Sequence, residues 1–155
     1  MDQPIDETPV PLWRRLAAAS YDSLVVVALF FIGSALAMTI SHGAITPDHP
    51  VAELLFRLYL LAIGFAFFGG FWVRNGQTLG MLAWRVKVVQ AGDGGRITWA
   101  QALVRYLVSY LSWVALGFGF WWSLWDPAKK TWHDRLSGTR LIRAPSFTEI
   151  SNPKN

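Results

Sequence analysis

The sequence predicts an all-α membrane protein: two firm transmembrane helices, a third bent or re-entrant hydrophobic segment, and a small cytoplasmic β element. Three observations lead there. Of the 155 residues, 53% are apolar, and they fall in long blocks with almost no polar face, which a water-soluble core would not tolerate. Leu24 to Ile40 carries no charge at all. The basic residues avoid one stretch: no Lys or Arg lies between Thr39 and Glu53, while Arg14, Arg15, Arg74, Arg85, Lys87 and Arg96 flank the first two spans on the other side. That asymmetry is the positive-inside pattern, so the net charge of +4 reads as topology and not as a nucleic-acid footprint. It places the chain in an inner membrane with both termini cytoplasmic.

Residues 1–11 combine Pro4, Pro9 and Pro11 with Asp2, Asp6 and Glu7, the composition of a disordered tail. Residues 12–143 form the membrane domain, and 144–155 a second tail. In helical form residues 16–40 reach about 37 Å, enough for a hydrocarbon core of roughly 30 Å. No small-residue cleavage site follows, so this run is expected to be retained rather than removed as a signal. Asp22 lies inside it. A carboxylate at that depth costs on the order of 2.5–3.5 kcal/mol unless it finds a partner, a proton or a task. Arg15 shares its helix face, about 10 Å away along the axis, which is too far for a direct pair unless the arginine stretches inward. The cations expected to meet Asp22 are therefore Arg105 and Arg57, as supporting charges.

Ser41 to Pro50 is a turn-rich external loop flanked by His42 and His49. The second span covers about Val51–Val73, with Glu53 and Arg57 near its outer end, where long side chains snorkel. Gly33 and Ala37 in the first span, and Ala62, Ala66 and Gly70 in the second, form small-residue stripes expected to pack the two spans together. Arg74-Asn75-Gly76 ends the second helix. The period then changes: Trp84–Val89 alternates, Ala91–Gly95 turns, and Arg96–Trp99 extends, so a cytoplasmic hairpin is expected. Glycines 92, 94 and 95 have the wrong spacing for a nucleotide loop.

Residues 100–125 are long enough to cross. A single crossing would strand Lys129, Lys130, Arg135, Arg140 and Arg143 outside, against the charge rule. Gly117 and Gly119 allow the segment to dip in and return instead, with Phe120–Trp125 as an interfacial aromatic cluster. Gly138–Arg143 reads as a strand whose partner is the 84–99 segment. Adjacent His133 and Asp134 invite a catalytic or metal reading. No nucleophile or third ligand is placed by sequence, so capping, with Asp134 paired to Arg85, Arg105 or Arg135, is preferred. Without cysteine there is no disulfide or thiolate chemistry. No enzyme, cofactor or metal is implied.

These residues resemble the RDD family of small bacterial membrane proteins: Arg15 and Asp22 seven residues apart, Asp134 in Trp132–Thr139, the Gly76-Gln77-Thr78-Leu79-Gly80 segment and the Arg85–Val89 run, in that order. The resemblance covers roughly residues 12–143. Met81 departs from it, standing where a lysine often follows Gly80. The resemblance implies a role in transport, including sodium–proton exchange for some members, with Asp22, Arg15 and Asp134 as ion- or proton-handling groups. Two or three spans cannot surround a pathway, so beyond the lipid bilayer such a role requires a homo-oligomer or a membrane protein partner. The reading from another class is a non-transporting membrane module that binds or assembles another membrane protein, its three charges structural.

Overall fold

A computed structural model describes residues 10–42, 45, 48–115, 121–122, 125–126 and 130–144. In chain order the elements are α1 (Leu12–Ser41), α2 (Pro50–Asn75), α3 (Leu79–Ala83), β1 (Val86–Gln90), α4 (Trp99–Val114), α5 (Trp132–Leu136) and β2 (Thr139–Arg143). The helices α1 and α2, 30 and 26 residues long, are apolar enough to cross a bilayer, and their apolar side chains are largely uncovered by the protein. Leu24 and Phe31, for example, are each 73% exposed, as suits helices solvated by lipid.

The packed core sits at one end, where Trp72, Met81, Val86, Val88, Ile97, Ala102 and Tyr106 are buried against Phe65, Phe68 and Leu141. It brings the last turns of α2, the first turns of α4 and the sheet together. Gly76 ends α2 as the sequence predicts: it takes φ 70°, and its N–H donates to Trp72 O at 2.9 Å. Phe30 and Gly33 of α1 pack on Gly64 and Ile63 of α2, joining the spans. The stripe on α2 does not take part. Ala62 and Ala66 are exposed, and among the described residues nothing approaches within 4 Å of where a Cβ on Gly70 would lie. The two spans meet along Gly64 and Ile63, on a different face.

The expected local hairpin is replaced by a long-range pair. β1 runs antiparallel to β2, with Val86 opposite Arg143 and Gln90 opposite Thr139. Residues 138–143 were expected to pair with this region, and they do. Arg96–Trp99 forms no strand, because Thr98 and Gln101 make a reciprocal cap that starts α4. The Gln101 N–H donates to Thr98 Oγ1 at 3.2 Å, and the Thr98 N–H to Gln101 Oε1 at 3.0 Å.

With 16 residues, α4 spans about 24 Å, short of a full hydrocarbon core of roughly 30 Å. The expected break at Gly117 and Gly119 lies outside the described residues, as do both predicted tails except Val10, Pro11 and Ala144. Val10 is buried, and its carbonyl accepts from Arg15 Nε at 3.0 Å, so it belongs to the fold and not to a free tail.

Candidate functional site

The three charged positions of the sequence pattern are buried at the core end of the molecule, and they divide into two clusters. In the first, Asp134 is shared by two arginines. Arg15 Nη1 donates to Asp134 Oδ2 at 2.8 Å, and Arg105 Nη1 donates to Oδ1 at 2.5 Å and to Thr139 Oγ1 at 2.7 Å. The same carboxylate accepts the Thr131 N–H at 3.2 Å, while the Asp134 N–H donates to Thr131 Oγ1 at 3.4 Å, a capping box that starts α5. One side chain thus caps α5 and joins the first turn of α1 to α4. The Arg105 guanidinium also lies over the Trp72 ring, 5.2 Å from its centre.

Burial alone would push the Asp134 carboxyl up. The guanidinium groups of Arg105 and Arg15 outweigh that and hold it below the ordinary carboxylate range. His133 beside it moves the other way for a base: burial, then the positive charge of Arg105, push it down to about 3, so it is neutral at physiological pH. Its Nε2 stays 3.9 Å from Asp134 Oδ1, outside hydrogen-bonding distance.

Asp22 forms the second cluster with neither expected cation. Its Oδ2 accepts the Thr78 hydroxyl at 2.5 Å, and its Oδ1 accepts the Gly80 N–H at 2.8 Å. Thr78 is also the N-cap of α3, accepting from the Met81 N–H at 3.2 Å. Gly80 is required by this approach. A Cβ there would lie 2.2 Å from the Ala18 carbonyl oxygen and 3.0 Å from Asp22 Cγ, so only glycine lets the backbone reach the carboxylate. Arg105 is committed to Asp134. Arg57 pairs with Glu53 one turn earlier on α2, where Arg57 is largely exposed and Glu53 partly so.

Asp134 thus takes Arg105 from its expected partners. Arg135 goes instead to Asp126, which also accepts the Lys130 N–H at 2.8 Å. That backbone bond, aided by the Arg135 pair, holds the Asp126 carboxyl below its usual range. Arg14 lies over the Trp13 ring at 5.2 Å, in keeping with an interfacial anchor. Among the described residues, no group of three or more His, Asp or Glu is placed to hold a metal ion.

Both clusters border a half-open cleft of about 660 Å³ between α1 and α4, each of which packs on α2. Arg15, Asp22, Arg105 and His133 line its polar end, and Val26, Val27, Phe30, Leu58 and Leu61 its apolar walls. Sequence reasoning named Thr78 and Gly80 only within the Gly76–Gly80 segment, without a role at the site, and missed Thr139. The signal for Thr78 was the capping residue ahead of a short apolar turn; Thr139 gave none beyond its place in a strand.

Two long apolar helices carrying buried ionic groups at one end define a membrane-type protein with a polar internal site. The chain belongs to the RDD family, whose sequence profile matches residues 9–138. It is 31% identical over 91 residues to an uncharacterized protein of Rickettsia prowazekii (strain Madrid E), an alignment covering 59% of this chain and 50% of that protein. The chain therefore spans about half the length of the curated relative it matches. No solved structure matches it significantly.

Proposed function

We propose that the chain is an integral inner-membrane module that binds or assembles another membrane protein, and that its three signature charges hold its shape. One observation carries this reading: Arg15, Asp22 and Asp134 are all engaged by protein groups, and together they fasten α1 to α3, α4 and α5. A carboxylate satisfied by two donors is a poor mobile carrier, because moving its charge means breaking both bonds. The small-residue stripe on α2, which meets no neighbour among the described residues at Gly70, supports a side where a partner helix can approach closely.

Both termini are cytoplasmic in this reading, and the segment after α4 returns to the side it left. Asp134 meets Arg105 in the second turn of α4 and Arg15 in the first turn of α1, which supports that return. Reactivity of a cysteine introduced at Asn152 with an impermeant external reagent, in intact cells, would overturn it.

A second reading, transport by cation–proton exchange, is favoured by the place of Asp22 in the cleft wall beside Arg15 and Arg105. It requires an oligomer or a partner, since two spans cannot enclose a path. One experiment separates the two readings. Wild type and Asp22→Asn are reconstituted in proteoliposomes, internal pH is followed on adding sodium or potassium outside, and each protein is also purified with its membrane partners. The module reading expects no cation-driven proton movement in either protein, and loss of stability or of a co-purifying partner in the variant. Proton movement that vanishes in a folded Asp22→Asn would refute it in favour of exchange.

A further inference from the structure

We propose that the exposed side of α3, with Trp13 and Trp84, beds into the membrane leaflet around it, and that Arg14 and Arg85 hold the phosphates of its anionic lipids. This goes beyond the module reading and rests only on α1 and α2 crossing a bilayer. In α3, Gly80 lies against Ala18 and Met81 is buried in the core. Leu79, Leu82 and Ala83 fall on the opposite side of the turn and are exposed, Leu82 by 61%. Trp84 follows, its ring edge-on to that of Trp13 at 5.5 Å, and Trp13 is itself 55% exposed. The Arg14 guanidinium lies over Trp13, and Arg85 follows Trp84, so apolar and basic side chains share one exposed patch.

The depth of this patch follows from the two spans. Phe30 of α1 packs on Gly64 of α2. Ten residues from that contact, about 15 Å at 1.5 Å per residue, α1 reaches Ile40 in one direction and Ser20 in the other. The same distance along α2 reaches Leu54 and Arg74. Two such halves make a hydrocarbon core of roughly 30 Å, bounded by the end of the charge-free run on one side and by Arg74 on the other. Gly80 packs on Ala18 and donates its N–H to Asp22, two residues that bracket Ser20, so α3 lies at the boundary itself. Exposed apolar side chains at that depth meet lipid, and tryptophan favours the headgroup level.

The charge of the patch selects the lipid. Neither Arg14 nor Arg85 has an ion-pair partner among the described residues. Asp22 is buried behind α3 with its oxygens taken by Thr78 and Gly80, and Asp134 is enclosed by Arg15 and Arg105. Arg74, exposed at the same level, adds a further positive charge. Arg85 carries a second sign. Its backbone is left-handed, φ 53°, a conformation that glycine takes freely and a residue with a side chain avoids. The turn uses only its backbone: the Arg85 N–H donates to Leu82 O at 3.2 Å, and its carbonyl accepts from the Ala144 N–H at 3.0 Å. Glycine would serve that turn with less strain, so the arginine is there for its exposed side chain. Near an anionic leaflet each such residue adds roughly fivefold in affinity.

The chain has no cysteine, so Leu82→Cys offers a single thiol for a bimane fluorophore on the full-length protein. The labelled protein is reconstituted in vesicles of phosphatidylcholine and phosphatidylglycerol, in which one lipid or the other carries bromine high on its acyl chain. Both lipids should quench the fluorophore, with the quenching curves giving phosphatidylglycerol a relative affinity about fivefold higher or more. High salt, which screens exposed charges, should abolish that preference. Arg85→Gly should lower it about fivefold while the unfolding temperature stays or rises, and Arg14→Gln should lower it likewise. A label at Phe31→Cys, read with bromine deep in the chain, reports separately on the spans. Quenching at Phe31 with none at Leu82, whether water or a polypeptide covers α3, overturns this proposal and leaves the spans in place; quenching at neither overturns both. Equal affinity for the two lipids, or a preference that Arg85→Gly and Arg14→Gln leave unchanged, would also overturn it. If Leu82→Cys does not fold, Leu79→Cys on the same side of α3 carries the label.

Discussion

Asp134→Asn should be the most damaging single substitution among the charged residues. It leaves the shape of the side chain intact and removes the negative charge that two buried arginines share. Asp134 is 1% exposed, and Arg15 and Arg105 are 8% and 3% exposed, so water screens little of what remains. Removing one partner from a buried ion pair costs about 3–5 kcal/mol, because an uncompensated charge is left in place. The asparagine oxygen can keep one of the two arginine bonds, while its amide nitrogen cannot accept the other. Against a total stability of about 5–15 kcal/mol, the loss is a large fraction of the whole.

For a chain of this size, about 1 kcal/mol moves the unfolding temperature by roughly 2–4 °C, so the variant should melt on the order of 10 °C below wild type. The assay is thermal unfolding in detergent, read by circular dichroism, with Arg105→Gln and the double variant measured beside it. Coupling decides the mechanism. If Asp134 serves chiefly to neutralise Arg105, the double variant should be less damaged than the sum of the singles by at least 1 kcal/mol. Additive costs, or an Asp134→Asn protein within about 1 kcal/mol of wild type, would refute the reasoning.

Gly80→Ala should cost about 1–3 kcal/mol or more, since the new methyl meets the Ala18 backbone and nothing soft can give way; wild-type melting would sink the close-approach account. Acid should weaken the protein well above the carboxylate range. His133 is neutral when folded down to about 3 but takes a proton near 6.5 when unfolded, so its contribution is whole above pH 6.5 and is lost as pH falls from there. Between pH 7 and 5 the loss is about 2 kcal/mol, and His133→Gln should flatten the slope of unfolding temperature against pH over that window. Asp134 adds to acid sensitivity only below its unfolded value of about 4, because its folded value lies lower still. Arg57→Gln, by contrast, breaks only an exposed pair and should change stability by less than about 1 kcal/mol; a larger loss would mean that Arg57 has a role the cleft wall does not explain.

Where the sequence was legible, one physical rule governed a contiguous stretch. The charge-free run of α1 and the glycine after Arg74-Asn75 placed both spans and the end of α2 within a few residues. The pairing of the 84–90 stretch with 139–143 followed from two short alternating segments, each needing an edge to satisfy. The local hairpin failed because Thr98 and Gln101 fit a helix start better than a strand, and the reciprocal cap was readable in the spacing. The partners of Asp22 were not. Looking for a cation to match a buried carboxylate overlooks a hydroxyl and a backbone amide 56 and 58 residues away, which satisfy the same oxygens with no second charge to bury.

That choice of partners explains why two charged side chains on one face of α1 do not simply pair. Arg15 is held by Asp134 and Asp22 by the α3 turn, so α1 is fastened at two levels about 10 Å apart within its first three turns. Beyond them three polar side chains of α1 bond back to their own helix: Ser23 donates to Ala19 O, Thr39 to Ala35 O and Ser41 to Met38 O. The far half of α1 is thus held to α2 by packing, through Phe30 and Gly33, while its base is fixed by directed bonds. The cleft lies along the face of α1 between these two kinds of attachment, from Arg15 to Phe30. Substitutions at the base should therefore change whether the protein folds, whereas substitutions along Val26, Val27 and Phe30 should change the shape of the cleft.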